Sequence, residues 1–384
     1  MIIKEAFRLA RNRYLAEGSE IFSGLLRGYA RSKCPAPPAP PSRWRRALIL
    51  GDHHIGDLLY RSGSLEALKR GLPHCDFYYL ASPASAEILA ASPWLKSVLP
   101  LCRSDSRWDL IKSPDLAMLR EIGFDAALCS NPLHYLQDLK LALELGIPSR
   151  AGYTYKGLSG WVTHPITIQY PQPFPDYFRD FVAQLTGEEP TWASRPVVQT
   201  TREDAEKAEA LWKKLPREEG KPVIACFMTS RQSRGVWPAE AFARTLQILA
   251  SRNAATLLLC GATSDRPLLA RINHDYALHA TIHAGELGLR ALVCFLKHLS
   301  VVITTDSGPR HLANAAGVPV VFIRNLAFKK SEAGSYCETE YDMASDAESI
   351  SLRKQDRFLR QTTPESVAAK VLELLQQERR ETHS

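Results

Sequence analysis

From Ala47 onward, short apolar runs alternate with longer stretches of helical period. A strand buried on both faces shows no polar side, so this alternation predicts a parallel sheet covered by helices on both faces. The runs Ala47 to Leu50, Phe77 to Leu80, Ser97 to Leu101 and Ala126 to Cys129 predict strands. Between and after them, Asp57 to Arg70, Ala84 to Ala91, Asp115 to Ile122 and Leu133 to Leu145 predict helices, the last ended by Gly146 and Pro148. Residues 151 to 174, rich in Gly, Tyr, Pro and Trp, read as irregular. A second set begins near residue 201, with helices over Glu203 to Leu215, Ala239 to Ala250, Pro267 to Tyr276 and Leu289 to Leu299. Its strands fall at Val223 to Met228, Thr256 to Cys260, Thr281 to Ala284, Val301 to Ile303 and Val320 to Ile323. Pro364 to Glu378 has helical character with a polar outer face. Two halves of similar build predict two Rossmann-like domains with a cleft between them.

The segment before Ala47 has a different pattern. Ile3, Phe7, Ala10 and Tyr14, then Ile21, Leu25 and Tyr29, recur near a spacing of 3.6 residues, with Gly18-Ser19 interrupting. Charge sharpens the picture. Residues 1 to 46 hold ten Lys/Arg against three Glu, which is the whole of the chain's net +7. A basic amphipathic arm over residues 1 to 33 suits an anionic membrane face. The same stripe equally suits packing on the protein's own body or on a second subunit, and both readings stand at this point. Nucleic acid is not expected, because no reading motif accompanies the basic residues. Pro35 to Pro41, with five prolines in seven positions, predicts a stiff extended linker.

Composition adds limits. A chain of 384 residues exceeds a single compact core. Hydrophobic content of 45% and charge of 23% are those of a globular protein. No apolar run approaches the roughly 18 residues of a membrane span, and Lys4, Glu5 and Arg8 break the first apolar stretch, so neither span nor signal peptide is expected. The eight cysteines include no C-x-x-C pair, and Cys129, Cys226 and Cys260 sit in strand-like runs, which predicts core thiols in a cytoplasmic protein.

Candidate chemistry sits where strands give way to helices. After Val301-Val-Ile303 come Thr304-Thr-Asp-Ser-Gly-Pro-Arg-His311, with Gly308-Pro309 opening a helix and Gly317 ending it. The unpaired amides of a first helical turn favour an anion such as a diphosphate, and Asp306, Ser307, Gly308 and His311 surround that turn. Taken alone, Asp306 or Ser307 could be a plain cap and His311 an ordinary core histidine. The first half offers Gly51-Asp-His-His-Ile-Gly-Asp57 after its first strand. There Gly56 allows close approach, Asp57 can accept a proton, and His53 and His54 are acceptor-side candidates. Neither G-x-G-x-x-G nor G-x-x-x-x-G-K-[ST] occurs, so a nicotinamide enzyme or P-loop hydrolase finds no support.

The landmarks Ile55-Gly56-Asp57, Trp237-Pro238, Gly261 and Asp306-Ser-Gly-Pro-x-His311-x-Ala313-x-Ala315-x-Gly317-x-Pro319 occur in order over roughly residues 46 to 325. Through them the chain resembles the family 9 glycosyltransferases, of the bacterial ADP-heptose:lipopolysaccharide heptosyltransferase type. The resemblance implies an α/β fold of GT-B type, with the parallel sheets of two Rossmann-like domains facing a central cleft. Its divisions are an arm and linker over 1–45, an acceptor domain over 46–190, a nucleotide-sugar domain over 191–362 and a terminal helix over 363–384. It further implies inverting, metal-independent transfer of a sugar, a heptose by type, from an ADP-linked donor to a lipopolysaccharide-core or other glycan acceptor, with no cofactor. Asp57 is then the general base, Asp306 a contact to the donor sugar, and Ser307, Gly308, His311, Thr229 and Ser230 neighbours of the donor diphosphate. A cytoplasmic protein, peripheral on the inner membrane face where the arm meets lipid, fits that role. No D-x-D triplet occurs in the chain.

The chain departs from the pattern in places. The family's lysine two residues before Trp-Pro is Gly235 here, with Arg234 beside it as a candidate phosphate grip. Gly63 stands where a proline is common, Arg324 to Lys330 replaces a glycine-containing loop, and residues 331 to 358 match no landmark. These departures keep open a catalytically silent nucleotide- or glycan-binding relative with a regulatory or assembly role.

Overall fold

The computed structural model describes residues 20–50, 54–100, 115–132, 135–154, 157–192, 194–230, 236–348, 350, 359 and 361–382. The chain divides into two units, Met1–Ser194 and Arg195–Ser384. The first carries strands β1 (Arg46–Leu50), β2 (Asp76–Ala81), β3 (Ser97–Pro100), β4 (Ala126–Cys129), β5 (Ser149–Tyr153) and β6 (His164–Ile166). Its helices are α1 (Glu20–Lys33), α2 (Ile55–Ser62), α3 (Leu65–Gly71), α4 (Pro83–Leu89), α5 (Asp115–Ile122), α6 (Tyr135–Glu144) and α7 (Phe174–Thr186). All strand pairs are parallel, in the order β3-β2-β1-β4-β5-β6. This is the doubly wound Rossmann order.

The second unit repeats that order. Its strands are β7 (Val223–Phe227), β8 (Thr256–Gly261), β9 (Thr281–Ala284), β10 (Val301–Thr305), β11 (Val320–Ile323) and β12 (Glu340–Asp342), arranged β12-β11-β10-β7-β8-β9 and parallel throughout. The helices are α8 (Arg202–Lys214), α9 (Ala239–Ser251), α10 (Arg266–Asp275), α11 (Leu289–Leu296), α12 (Gly308–Ala316), α13 (Lys330–Ala333) and α14 (Pro364–Thr382). Val367, Val371, Leu374 and Leu375 of α14 join Phe242, Leu246 and Leu249 of α9 in this unit's core. The α/β class and the two Rossmann-like units read from the sequence are therefore present.

Three expectations need correction. The helix read over Asp57 to Arg70 is two helices, because the chain stops at Gly63-Ser64; there Ser64 Oγ accepts from Trp192 Nε1 at 2.9 Å. Residues 151 to 174 are not irregular throughout. They include most of β5, all of β6 and the start of α7. The β5 sequence Ser-Arg-Ala-Gly-Tyr lacks the β-branched signature, yet every residue of it is buried. Arg150 is accommodated there by donating to the carbonyls of Trp161, Ile147 and Pro148 at 2.6 to 3.0 Å. The edge strand β6 tolerates Pro165, which would be excluded from a central position.

The third correction concerns the arm. Its described part, α1, packs against the body of the first unit through Leu26 and Ala30, both nearly fully buried, while Leu25 points outward at 51% exposure. Leu25 thus departs from the stripe read from the sequence, whereas Tyr29 packs against Trp161 with ring centroids 5.9 Å apart. A small residue permits the contact, since a Cβ on Gly160 would lie 2.5 Å from the Ser23 carbonyl oxygen and 2.6 Å from Leu26 Cβ. The proline stretch is held to the first unit: Ala39 N–H donates to Ser149 Oγ at 3.0 Å, and Trp44 Nε1 donates to the Ala39 carbonyl at 2.8 Å. The stripe over Ile3 to Tyr14 lies outside the described residues.

Candidate active site

A doubly wound sheet opens at its carboxyl edge where the strand order reverses. In the first unit that point lies between β1 and β4, and the helix after β1 carries Asp57 in its first turn. The segment after β4 supplies Ser130, Asn131 and Pro132, and α7 supplies Phe174, Tyr177 and Phe178. With Asp57, Tyr60 and Arg61 these residues line a shallow recess that opens to solvent. One wall is aromatic and the other polar, which suits a sugar ring with an apolar face and hydroxyl edges. Ser130 is buried, and among the described residues its Oγ has no hydrogen-bond partner.

Asp57 is half-buried beside this recess. Burial pushes its carboxyl above the ordinary 3.8, while His54 and Arg61 pull in the opposite direction. Arg61 is itself fixed, donating from Nη1 to the Leu50 carbonyl at 2.6 Å and lying 5.5 Å from the Phe178 ring centroid. Gly56 lies in the same first turn, and His54 is the exposed residue that precedes α2. His53 lies outside the described residues.

The second unit places its candidates at the equivalent reversal, between β7 and β10. Ser307 precedes α12 with extended backbone, yet its side chain makes no capping bond; its hydroxyl accepts from Thr305 Oγ1 at 3.0 Å. Asp306 does not cap either. Its Oδ1 accepts from Arg310 Nη1 at 2.9 Å and its Oδ2 from the Asn325 N–H at 3.4 Å. The cap-only reading of this pair thus fails. Gly308 opens α12, and Gly317 closes it in the left-handed conformation at φ +82°.

Electrostatics at this turn come from one buried arginine. Arg310 is fully buried and pairs with Glu340 through both carboxylate oxygens, at 2.6 and 3.0 Å. It also donates to the carbonyls of Ala333 and Gly334 and lies 3.7 Å from the Phe322 ring centroid. Burial raises the Asp306 carboxyl above 3.8 in spite of the Arg310 charge beside it. His311 is buried as well, and burial followed by Arg310 drives its imidazole well below 6.5. A neutral histidine therefore sits within α12, its Nδ1 2.7 Å from the Tyr336 hydroxyl.

Thr229 and Ser230 follow β7, both half-buried. Thr229 Oγ1 donates to Asp265 Oδ2 at 2.9 Å, and that oxygen also accepts from the Ala262 N–H at 2.8 Å. Toward a ligand Thr229 is thus an acceptor. Gly261 ends β8 because a Cβ there would lie 2.7 Å from the same Asp265 oxygen. Arg234 lies outside the described residues.

This construction has counterparts among known proteins. The model of glycosyltransferase family 9 (heptosyltransferase) matches residues 119–323, more than half the chain. The chain belongs to glycosyltransferase family 9. It is 23% identical over 354 residues to lipooligosaccharide heptosyltransferase 2 of Haemophilus influenzae, covering 85% of this chain and 99% of that protein. Among solved structures, a family 9 glycosyltransferase from Veillonella parvula superposes with a TM-score of 0.73 at 19% identity, over 89% of this chain and 99% of its own. The ADP-heptose lipopolysaccharide heptosyltransferase II of E. coli gives 0.65 at 18%, over 87% and 99%. The protein is a glycosyltransferase.

Several residues of this family 9 site escape sequence reading. Arg310 occupies the unspecified position between Pro309 and His311, and its partner Glu340 lies 30 residues further on, so no local spacing joins them. Tyr336, whose hydroxyl meets both His311 and Asn314, is separated from them in the same way. Phe174, Tyr177 and Phe178 lie on a helix that the sequence does not announce. Its one cue is Pro175 in the first turn, followed by aromatics at helical spacing.

Proposed function

We propose that the protein transfers a heptose, with inversion, from an ADP-linked donor to a lipopolysaccharide-core or related glycan acceptor. The carrying observation is a half-buried carboxylate, Asp57, on the rim of an aromatic and polar recess at the reversal point of the first sheet. In this reading the recess holds the acceptor sugar, and Asp57 takes the proton from the attacking hydroxyl. Its elevated affinity for a proton relative to an exposed aspartate makes it a better base at the pH where it remains ionised. The second unit holds the donor. The amides of α12 and the Nε2 side of His311 face the diphosphate, and Asp306, held by Arg310, meets hydroxyls of the donor sugar. No cation is required, since helix amides, His311 and Arg234 carry the charge of the departing ADP. The names of the relatives, which include an ADP-heptose enzyme, support this choice of donor.

Incubation with ADP-heptose and heptose-deficient lipopolysaccharide is expected to release ADP, in the presence of EDTA as in its absence. No release from any nucleotide sugar, with ADP still bound tightly, would support the silent-relative reading that Gly235 in place of the family lysine suggests. The outward face of α1 carries Arg27 and Arg31, both exposed, beside Leu25, so attachment to anionic lipid is part of the proposal. Charge reversal at both arginines is expected to reduce cosedimentation with anionic vesicles.

A further inference from the structure

The match to the family 9 model ends at residue 323, and Glu340 lies beyond it, at the start of β12. Its side chain is fully buried. Oε1 accepts from Arg310 Nε and from Asn314 Nδ2, both at 2.6 Å. Oε2 accepts from Arg310 Nη2 at 3.0 Å and from the Tyr336 N–H at 2.8 Å. Arg310 and Asn314 stand one turn apart on α12, so this carboxylate binds the helix of the donor turn to the chain that enters β12.

The fork made by Nε and Nη2 on the two Glu340 oxygens fixes the plane of the guanidinium, and the Phe322 ring, 3.7 Å away by centroid, backs it. A planar group held along one edge has its remaining nitrogen aimed. Nη1 donates to Asp306 Oδ1 at 2.9 Å and to the Ala333 carbonyl at 2.8 Å. Among the described residues the other bond to the Asp306 carboxylate comes from the Asn325 N–H, at a long 3.4 Å. The setting of Asp306 therefore runs through Arg310 to Glu340.

We propose that Glu340 is a positioning residue for the donor sugar: by fixing the plane of Arg310 it presents the Asp306 carboxylate to the sugar hydroxyls of a nucleoside-diphosphate sugar. It rests on the donor-binding reading above. A role confined to the sugar separates it from a general support of the fold, because ADP lacks the sugar and ADP-heptose carries it.

The test compares the affinities of the full chain for ADP and for ADP-heptose by calorimetry. Asp306→Ala is expected to weaken ADP-heptose relative to ADP by roughly 10-fold, the loss of a hydrogen bond to a charged group. Glu340→Gln, which keeps the shape and presents an NH₂ group where Arg310 or a backbone N–H donates, is expected to give a similar relative loss. The double variant is expected to lose no more than Asp306→Ala alone, since both act through one carboxylate. A Glu340→Gln protein that weakens both ligands equally, or neither, overturns the inference while the donor reading stands. So does a double variant whose relative loss is the product of the two single losses. An Asp306→Ala protein with unchanged relative affinity refutes the donor-sugar reading itself, and the inference falls with it. Should Glu340→Gln not fold, a crystal structure of the wild type with ADP-heptose decides. Asp306 is expected to meet a sugar hydroxyl while still bound to Arg310 Nη1; an Asp306 that has left Arg310 to reach the sugar overturns the inference.

Discussion

Asp57 combines two demands that pull against each other. A general base must be ionised to work, while burial disfavours its ionised form and pushes its carboxyl above 3.8. The sign for stability follows from that direction. With the folded value above the unfolded one, the stabilising contribution is complete below about 3.8 and is lost as pH rises through the folded value. At neutral pH the carboxylate therefore costs stability. Asp57→Asn is expected to lower kcat on the order of 10² to 10⁴-fold while leaving ADP affinity unchanged. The same variant is expected to melt at a higher temperature than wild type at neutral pH, with the gap closing in acid. Calorimetric melts across pH, paired with turnover assays, check both halves; a variant that melts lower at neutral pH would contradict the burial argument. Wild-type kcat/KM is expected to fall as pH drops through a value above 3.8. At this scale the chain was partly legible. Asp57, Asp306 and His311 stand at strand ends that apolar runs disclose, whereas Arg310, Glu340 and Tyr336 meet only after the chain has folded back across β11.

At the scale of elements, legibility followed the chemistry of the segment. Ala126–Cys129, Thr281–Ala284 and Val320–Ile323 are strands with the bounds read from sequence, because apolar runs between turn residues have few alternative uses. Ser149–Tyr153 was hidden because its burial is satisfied by arginine-to-carbonyl bonds and by a glycine, neither of which signals a strand. Gly152 shows the reason for the small residue: a Cβ would lie 2.6 Å from the Tyr135 hydroxyl. The docking of α1 depends on Gly160 in the same way. Gly160→Val is expected to force the helix off its seat at a cost of about 1–3 kcal/mol, the usual range for overpacking a close contact. Trypsin would then cut faster after Arg27 and Arg31, and the melting temperature would fall. Unchanged cleavage and melting would mean that α1 does not rest on this glycine.

On the scale of the whole molecule, the two units carry the same strand order and each has its own sheet and helices. That repetition could be inferred from two alternating sets of elements, but the attachment of the last helix could not, since its polar outer face gives no hint of what the inner face meets. Val367 and Val371 are fully buried and Leu374 and Leu375 nearly so. Burying four such side chains stabilises the fold by roughly 6–12 kcal/mol at about 1.5–3 kcal/mol each, and that is comparable to the whole stability of a domain, about 5–15 kcal/mol. The terminal helix is therefore part of the second unit's core rather than an appendage. Two fragments separate the possibilities. Residues 191–384 keep Arg195, whose Nε donates to the Asn314 carbonyl at 2.8 Å behind the donor loop, together with every element of that core. This fragment is expected to unfold cooperatively in urea and, if the second unit alone holds the donor, to bind ADP with the affinity of the full chain. Residues 191–362 are expected to show no cooperative transition and no ADP binding. A shorter fragment that folds would show that the helix only covers the core, while a longer one that folds without binding ADP would mean that the first unit contributes to the donor site.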